Sequence, residues 1–162
     1  METKTLQDLF IYMLKDTYDV EHQIATALPK MAKAAKSIRL TTAFEEHLAE
    51  TENHIHRIVM VFESQNLEPS RKTCKGMQAL IEEGAEMMKA DLPPDLMDAG
   101  IIAATQKIEH YEIAAYGTLI SYANLLGWDS AAKTLHETID EEKALDERLT
   151  HLAENTVNVR AA

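Results

Sequence analysis

The stretch from Ile101 to Ile120, IIAATQKIEHYEIAAYGTLI, is the most apolar run of the chain, yet it carries two glutamates in its middle. At 3.6 residues per helical turn, Ile102, Thr105, Glu109, Ile113, Tyr116 and Ile120 fall on one stripe, and Glu112 borders it three residues after Glu109. A carboxylate inside a buried stripe is costly unless something positive meets it. That partner is a lysine, an arginine, a shared proton or a metal ion, and the rest of the chain narrows the choice.

Three more long helical patterns accompany this one. From Leu6 to Ile38 the inward stripe reads Phe10, Leu14, Thr17, Glu21, Ile24, Leu28 and Met31, with Pro29 expected to kink the helix rather than end it. From Thr42 to Gln65 it reads Phe44, His47, Leu48, Thr51, Ile55, Ile58 and Phe62. The long connection over residues 67–94 holds a shorter helix, MQALIEEGAEMMKA, stopped by LPPD. The third long helix runs from Leu96 to Leu126 and ends at Gly127; Asp129 or Ser130 is expected to cap the fourth, which reaches about Asn155 and leaves a fraying tail. Short, long and short connections predict an all-α chain, a four-helix bundle with one long crossover carrying a short extra helix. That is the ferritin-like topology, in a single domain over residues 1–162.

Carboxylates recur through these helices. Glu21-His22 and Glu109-His110 stand 88 residues apart, and Thr17 and Thr105 agree at that offset. In the second helix His47, Glu50 and His54 share a face, and in the fourth Ile139, Glu142 and Asp146 repeat that spacing 92 residues later. The fourth helix's stripe is Leu135, Ile139, Glu142, Asp146, Leu149 and Leu152, so two acids lie one turn apart on it and would repel unless protonated or bridged. Collected in a bundle core, Glu21, Glu50, Glu109, Glu142 and Asp146 with His54 form a natural dinuclear metal site. Hard oxygen donors with one or two imidazoles suit two iron ions first, with manganese or zinc as alternatives. Glu112 reads as ligand, outer-sphere acid or stripe edge; His47 reads as a ligand or as a group orienting Glu50, with a slight preference for the second.

Other residues carry less. Lys15, Lys107 and Lys143 are the nearby bases, and none is on an inward stripe. His22 and His110 sit about 100° around the helix from their glutamates and face a neighbouring helix or an interface. His56, His136 and His151 read as surface, Met87 and Met88 as packing under the crossover, and Tyr18 and Tyr116 as core or as donors to the acids. A net charge of -11 argues against a nucleic-acid binder and against an anionic membrane surface. No apolar run approaches a membrane span, METKTLQDLF does not read as a signal peptide, and the single cysteine, Cys74, suits a reducing cytoplasm and reads as an inert residue of the connection.

The strings DTYDVEHQ, FEEHLAETENHIHRI, AATQKIEHYEIAAYGTL and ETIDEEKALDERLTHLA make the chain resemble the ferritin-like proteins, more specifically the bacterial YciE/YciF group, over nearly its whole length. The resemblance implies a cytoplasmic, homodimeric helical bundle tied to stress responses, with a dinuclear metal centre. The coincidence of inward acids on four helices adds the expectation that the centre oxidises Fe(II) with oxygen or peroxide, or disposes of peroxide. The alternative is a non-enzymatic dimeric structural or interaction protein with a stabilising or vestigial metal site. The wider ferritin-like pattern places a histidine three residues after the glutamate on the second and fourth helices. Here those positions are Asn53 and Leu145, and His54 and Asp146 stand one residue later.

Overall fold

A computed structural model describes residues 3–162. Met1 and Glu2, which begin the stretch that does not read as a signal peptide, lie outside the described residues. The helices are α1 (Leu6–Ala34), α2 (Ile38–Ser64), α3 (Lys75–Lys89), α4 (Pro94–Leu125) and α5 (Asp129–Leu152), then a π-helical turn (Ala153–Val157) and α6 (Asn158–Ala161). α1 packs on α2 and α4, and α5 packs on α2 and α4, so the four long helices form a square with α1 diagonal to α5. α3 lies across α1 and α4 within the long crossover. This is the expected ferritin-like arrangement. Among the described residues no helix is long and apolar enough to cross a membrane.

Local chemistry sets most of the helix ends. Thr5 opens α1 with a reciprocal cap: its hydroxyl accepts from the Asp8 amide at 3.1 Å while the Asp8 carboxylate accepts from the Thr5 amide at 3.0 Å. α1 runs unbroken through Pro29. Gly127, at φ +71°, ends α4 in the left-handed conformation that glycine adopts without steric cost.

Four boundaries differ from the expectation, each because of a tertiary contact. α1 stops at Ala34 and α2 starts at Ile38, because the buried Asp98 carboxylate takes the amides of Lys36 and Ser37, both at 2.7 Å, and pulls the chain out of the helix. α5 is preceded by Trp128 with no side-chain cap; that indole instead packs edge-on against Phe10, centroids 5.1 Å apart. Cys74 is not an inert connector. It is buried at the N-cap of α3, its sulfur 3.0 Å from the Tyr111 hydroxyl. The tail does not fray, since the π-helical turn and α6 pack on α4 and bury Ala153 and Val157 against the main core.

Two apolar cores fill the bundle. One gathers Ile24, Leu28, Phe44, Ile101, Ile102, Leu145 and Leu149; the other gathers Phe10, Leu14, Ile58, Phe62, Tyr116, Leu119 and Leu135. At ~1.5–3 kcal/mol for each large apolar side chain removed from water, these cores can carry a costly layer between them. That layer is polar: Thr17, Glu21, His47, Thr51, His54, Thr105, Glu109, Glu112, Thr138 and Glu142 are all buried.

Candidate metal centre

Each long helix contributes to the polar layer. α1 supplies Glu21, α2 supplies His47 and His54 two turns apart, α4 supplies Glu109 and Glu112 one turn apart, and α5 supplies Glu142. All six are at most 1% exposed. Their donor atoms fall into two groups, His47, Glu109, Glu112 and Glu142 on one side and Glu21, His54 and Glu142 on the other, with one ligand atom per residue lying within 4.8 Å of the rest of its group. Glu142 belongs to both. Its Oε1 is 3.0 Å from His54 Nδ1, and its Oε2 is 3.8 Å from His47 Nε2.

Both imidazoles are held from outside by a glutamate at the protein surface. His47 Nδ1 meets Glu50 Oε2 at 3.2 Å, and His54 Nε2 meets Glu141 Oε2 at 2.8 Å. Arg57 in turn grips Glu141, with Nη2 donating to Oε1 at 2.9 Å, and the guanidinium lowers the Glu141 pKa. A ring nitrogen that donates outward to a carboxylate leaves its other nitrogen as a lone pair facing the cluster. The inward atoms are therefore His47 Nε2 and His54 Nδ1.

Those inward atoms have no hydrogen-bond partner. Among the described residues the buried, unpartnered side-chain atoms are Glu21 Oε2, His47 Nε2, His54 Nδ1, Glu109 Oε2, both oxygens of Glu112 and both oxygens of Glu142. The 3.0 Å approach of His54 Nδ1 to Glu142 thus lacks the angle of a hydrogen bond. The two other buried acids differ sharply. Asp98 holds two backbone amides, and Asp19 accepts from the Cys74 amide, Gln23 and Arg71. An orphaned buried polar atom costs ~1–3 kcal/mol, more when charged, so a concentration of them in one place points to a missing partner.

The electrostatics of the layer favour a positive partner. Burial, then repulsion from Glu142 and the neighbouring acids, pushes the pKa of Glu109 and of Glu112 well above the carboxylate range. Burial alone would lower the pKa of His54, but its contacts with Glu142 and Glu21 push it up to about 10. Without a cation the layer collects protons instead. Lysine and arginine do not fill the gap, because none is buried among the described residues. Four carboxylates and two imidazoles of this kind fit two divalent cations in charge and in donor type.

A family model described as "Domain of unknown function (DUF892)" matches residues 5–162. The chain belongs to the DUF892 family. It is 49% identical to "Protein YciF" of Escherichia coli (strain K12) over 162 residues, covering 99% of this chain and 98% of that one. The crystal structure of the E. coli stress protein YciF matches the fold at a TM-score of 0.92, covering 96% of this chain and 98% of that one. YcfI of Rhodopseudomonas palustris, 38% identical, matches at 0.90, covering 92% of this chain and 95% of that one.

Within this DUF892 chain the structure brings together Glu21, His54, Glu109 and Glu142 from the expected set, with His47 and Glu112, which the sequence left open between ligand and supporting roles. Two expected ligands need correction. Glu50 is 43% exposed and lies behind His47, so the expected relation is reversed and the acid orients the imidazole. Asp146 sits at the rim, 20% exposed, accepting from Gln106 at 3.1 Å and facing His110 at 3.3 Å; Leu145 takes the buried position beside it. On α4 likewise Glu112, not Ile113, is buried. The offset of 92 between the second helices of the two hairpins pairs the exposed Glu50 with Glu142, and His54 with the rim residue Asp146. His54 and Glu142 are 88 apart (142 − 54), the same as Glu21 and Glu109 (109 − 21), and this single offset relates both pairs. Glu141 carried no signal in the sequence beyond lying next to Glu142, since its role depends on an α2 histidine across the bundle.

Proposed function

We propose that this protein holds two divalent cations in the polar layer, iron first and manganese or zinc as alternatives, and that it works in a stress response, as the description of its E. coli relative suggests. The observation that supports this reading is the set of unpartnered atoms confined to six buried acids and histidines from all four long helices. Glu21, His54 and Glu142 would hold one ion, His47, Glu109, Glu112 and Glu142 the other, with Glu142 between them. Iron bound there would supply Fe(II)/Fe(III) chemistry toward oxygen or peroxide. The chain's own part is to orient the imidazoles through Glu50 and Glu141, to keep bulk water out with the two apolar cores, and to store protons on Glu109, Glu112 and His54 that cation binding releases. The proposal includes a cytoplasmic homodimer that binds no nucleic acid.

A second reading has support of its own, since the R. palustris relative is described provisionally as a structural protein. There the cluster would stay protonated and the bundle would act as an interaction surface. Metal analysis of protein purified without chelator after iron- and manganese-rich growth separates the two. The metal-site reading expects roughly two ions per chain, one of them lost in Glu109→Gln and both retained in Asp146→Asn. Near-zero metal in the unaltered protein would leave the structural reading.

A further inference from the structure

The two halves of the cluster are not alike. The unpartnered atoms divide unequally: His47 Nε2, Glu109 Oε2, both Glu112 oxygens and Glu142 Oε2 on one side, against Glu21 Oε2, His54 Nδ1 and Glu142 Oε1 on the other. The smaller set draws on three residues against four, and one of its carboxylates is engaged elsewhere. Tyr116, fully buried, donates its hydroxyl to Glu21 Oε1 and so withdraws one of that carboxylate's two oxygens. Glu21 Oε2 remains, 3.5 Å from His54 Nδ1.

We propose that Tyr116 keeps Glu21 to a single donor oxygen, so that the subsite of Glu21, His54 and Glu142 is coordinatively open and takes a small exogenous anion of the size of azide or hydroperoxide, while the subsite of His47, Glu109, Glu112 and Glu142 is closed. The inference rests on the metal-site reading above. Its physical basis is donor number: three protein donors leave a first-row divalent ion with a position for an outside ligand, the arrangement of catalytic sites, whereas a fuller donor set closes the ion off. Tyr116 is a positioning residue here, acting through Glu21. On the other side no hydroxyl engages Glu112, and both its oxygens are unpartnered.

The test uses the full chain, stripped of metal, titrated with Co(II) and followed by its visible absorption, with azide added at one and at two equivalents. The first equivalent should be indifferent to azide and the second should respond. Tyr116→Phe frees Glu21 Oε1 to occupy the open position, so at saturating cobalt its azide affinity should fall by about tenfold or more. A residue that only supported packing would leave the azide response in place. Glu21→Gln provides a second arm and should bind one azide-silent equivalent. Equal azide responses at both equivalents, no response at either, or an unchanged response in Tyr116→Phe would each overturn the inference while the two-ion reading stands. Failure of cobalt to bind the unaltered protein would overturn that reading itself.

Discussion

Glu141 and His54 meet across the α2–α5 seam, carboxylate Oε2 to imidazole Nε2 at 2.8 Å, and Arg57 donates to both carboxylate oxygens of Glu141. This contact fixes which nitrogen of His54 faces the interior. Glu141→Ala removes the orienting acid without touching any inward atom. Cation affinity should fall by ~10–100-fold while helix content is unchanged. Isothermal titration with Mn(II), alongside circular dichroism, checks it; an unchanged isotherm would mean that His54 needs no such support.

Glu112, like Glu142, is buried with both carboxylate oxygens unpartnered. Glu112→Leu replaces it by an apolar side chain between two apolar cores. The metal-free variant should be more stable than the metal-free parent by about 1–3 kcal/mol, the cost of an unsatisfied buried polar group. It should also lose most of the rise in melting temperature that added Fe(II) or Mn(II) gives the parent under anaerobic conditions. Paired thermal melts, with and without cation, measure both effects.

Stability of the metal-free chain should depend on pH in one direction above mild acidity. Glu109 and Glu112 have raised pKa values, so the folded state holds protons that the unfolded chain has released, and stability falls as pH rises above the ordinary carboxylate value. His54 acts in the same sense: its stabilising proton is fully in place below the unfolded histidine pKa, and the contribution is lost as pH rises through about 10. Glu142, held lower by His54 against the effect of burial, acts oppositely, but only below the carboxylate range. Metal-free protein should therefore melt lower at pH 9 than at pH 6.5. Bound cations take the place of those protons, so loaded protein should show a flatter profile. Melting curves across the range with chelator and with Mn(II) compare the two.

Most of the fold was legible because helices write their buried faces into the chain with a 3.6-residue period, and because Gly127 and the Pro-containing stops carry their own conformational preferences. Glu21, Glu109 and Glu142 could be placed for the same reason, whereas His54 lies off the inward stripe read for its helix and was placed by sharing a face with His47 and Glu50. The misplaced residues were borderline in angle: Glu50 and Asp146 lie one step around the helix from a buried neighbour, and periodicity resolves a face no more finely than that.

What the amino-acid sequence determined by itself was local and periodic: four amphipathic helices, their order and connection lengths, and an acid on the inward stripe of three of them. Tertiary structure alone decided the rest. Which of two adjacent acids is buried depends on the rotation each helix adopts against its neighbours, and the partners Glu50–His47, Glu141–His54 and Tyr116–Glu21 depend on side chains meeting from one turn or from across the bundle. Local preference ends at the helix surface; whether a side chain meets water, another side chain or an ion is set by what packs against it.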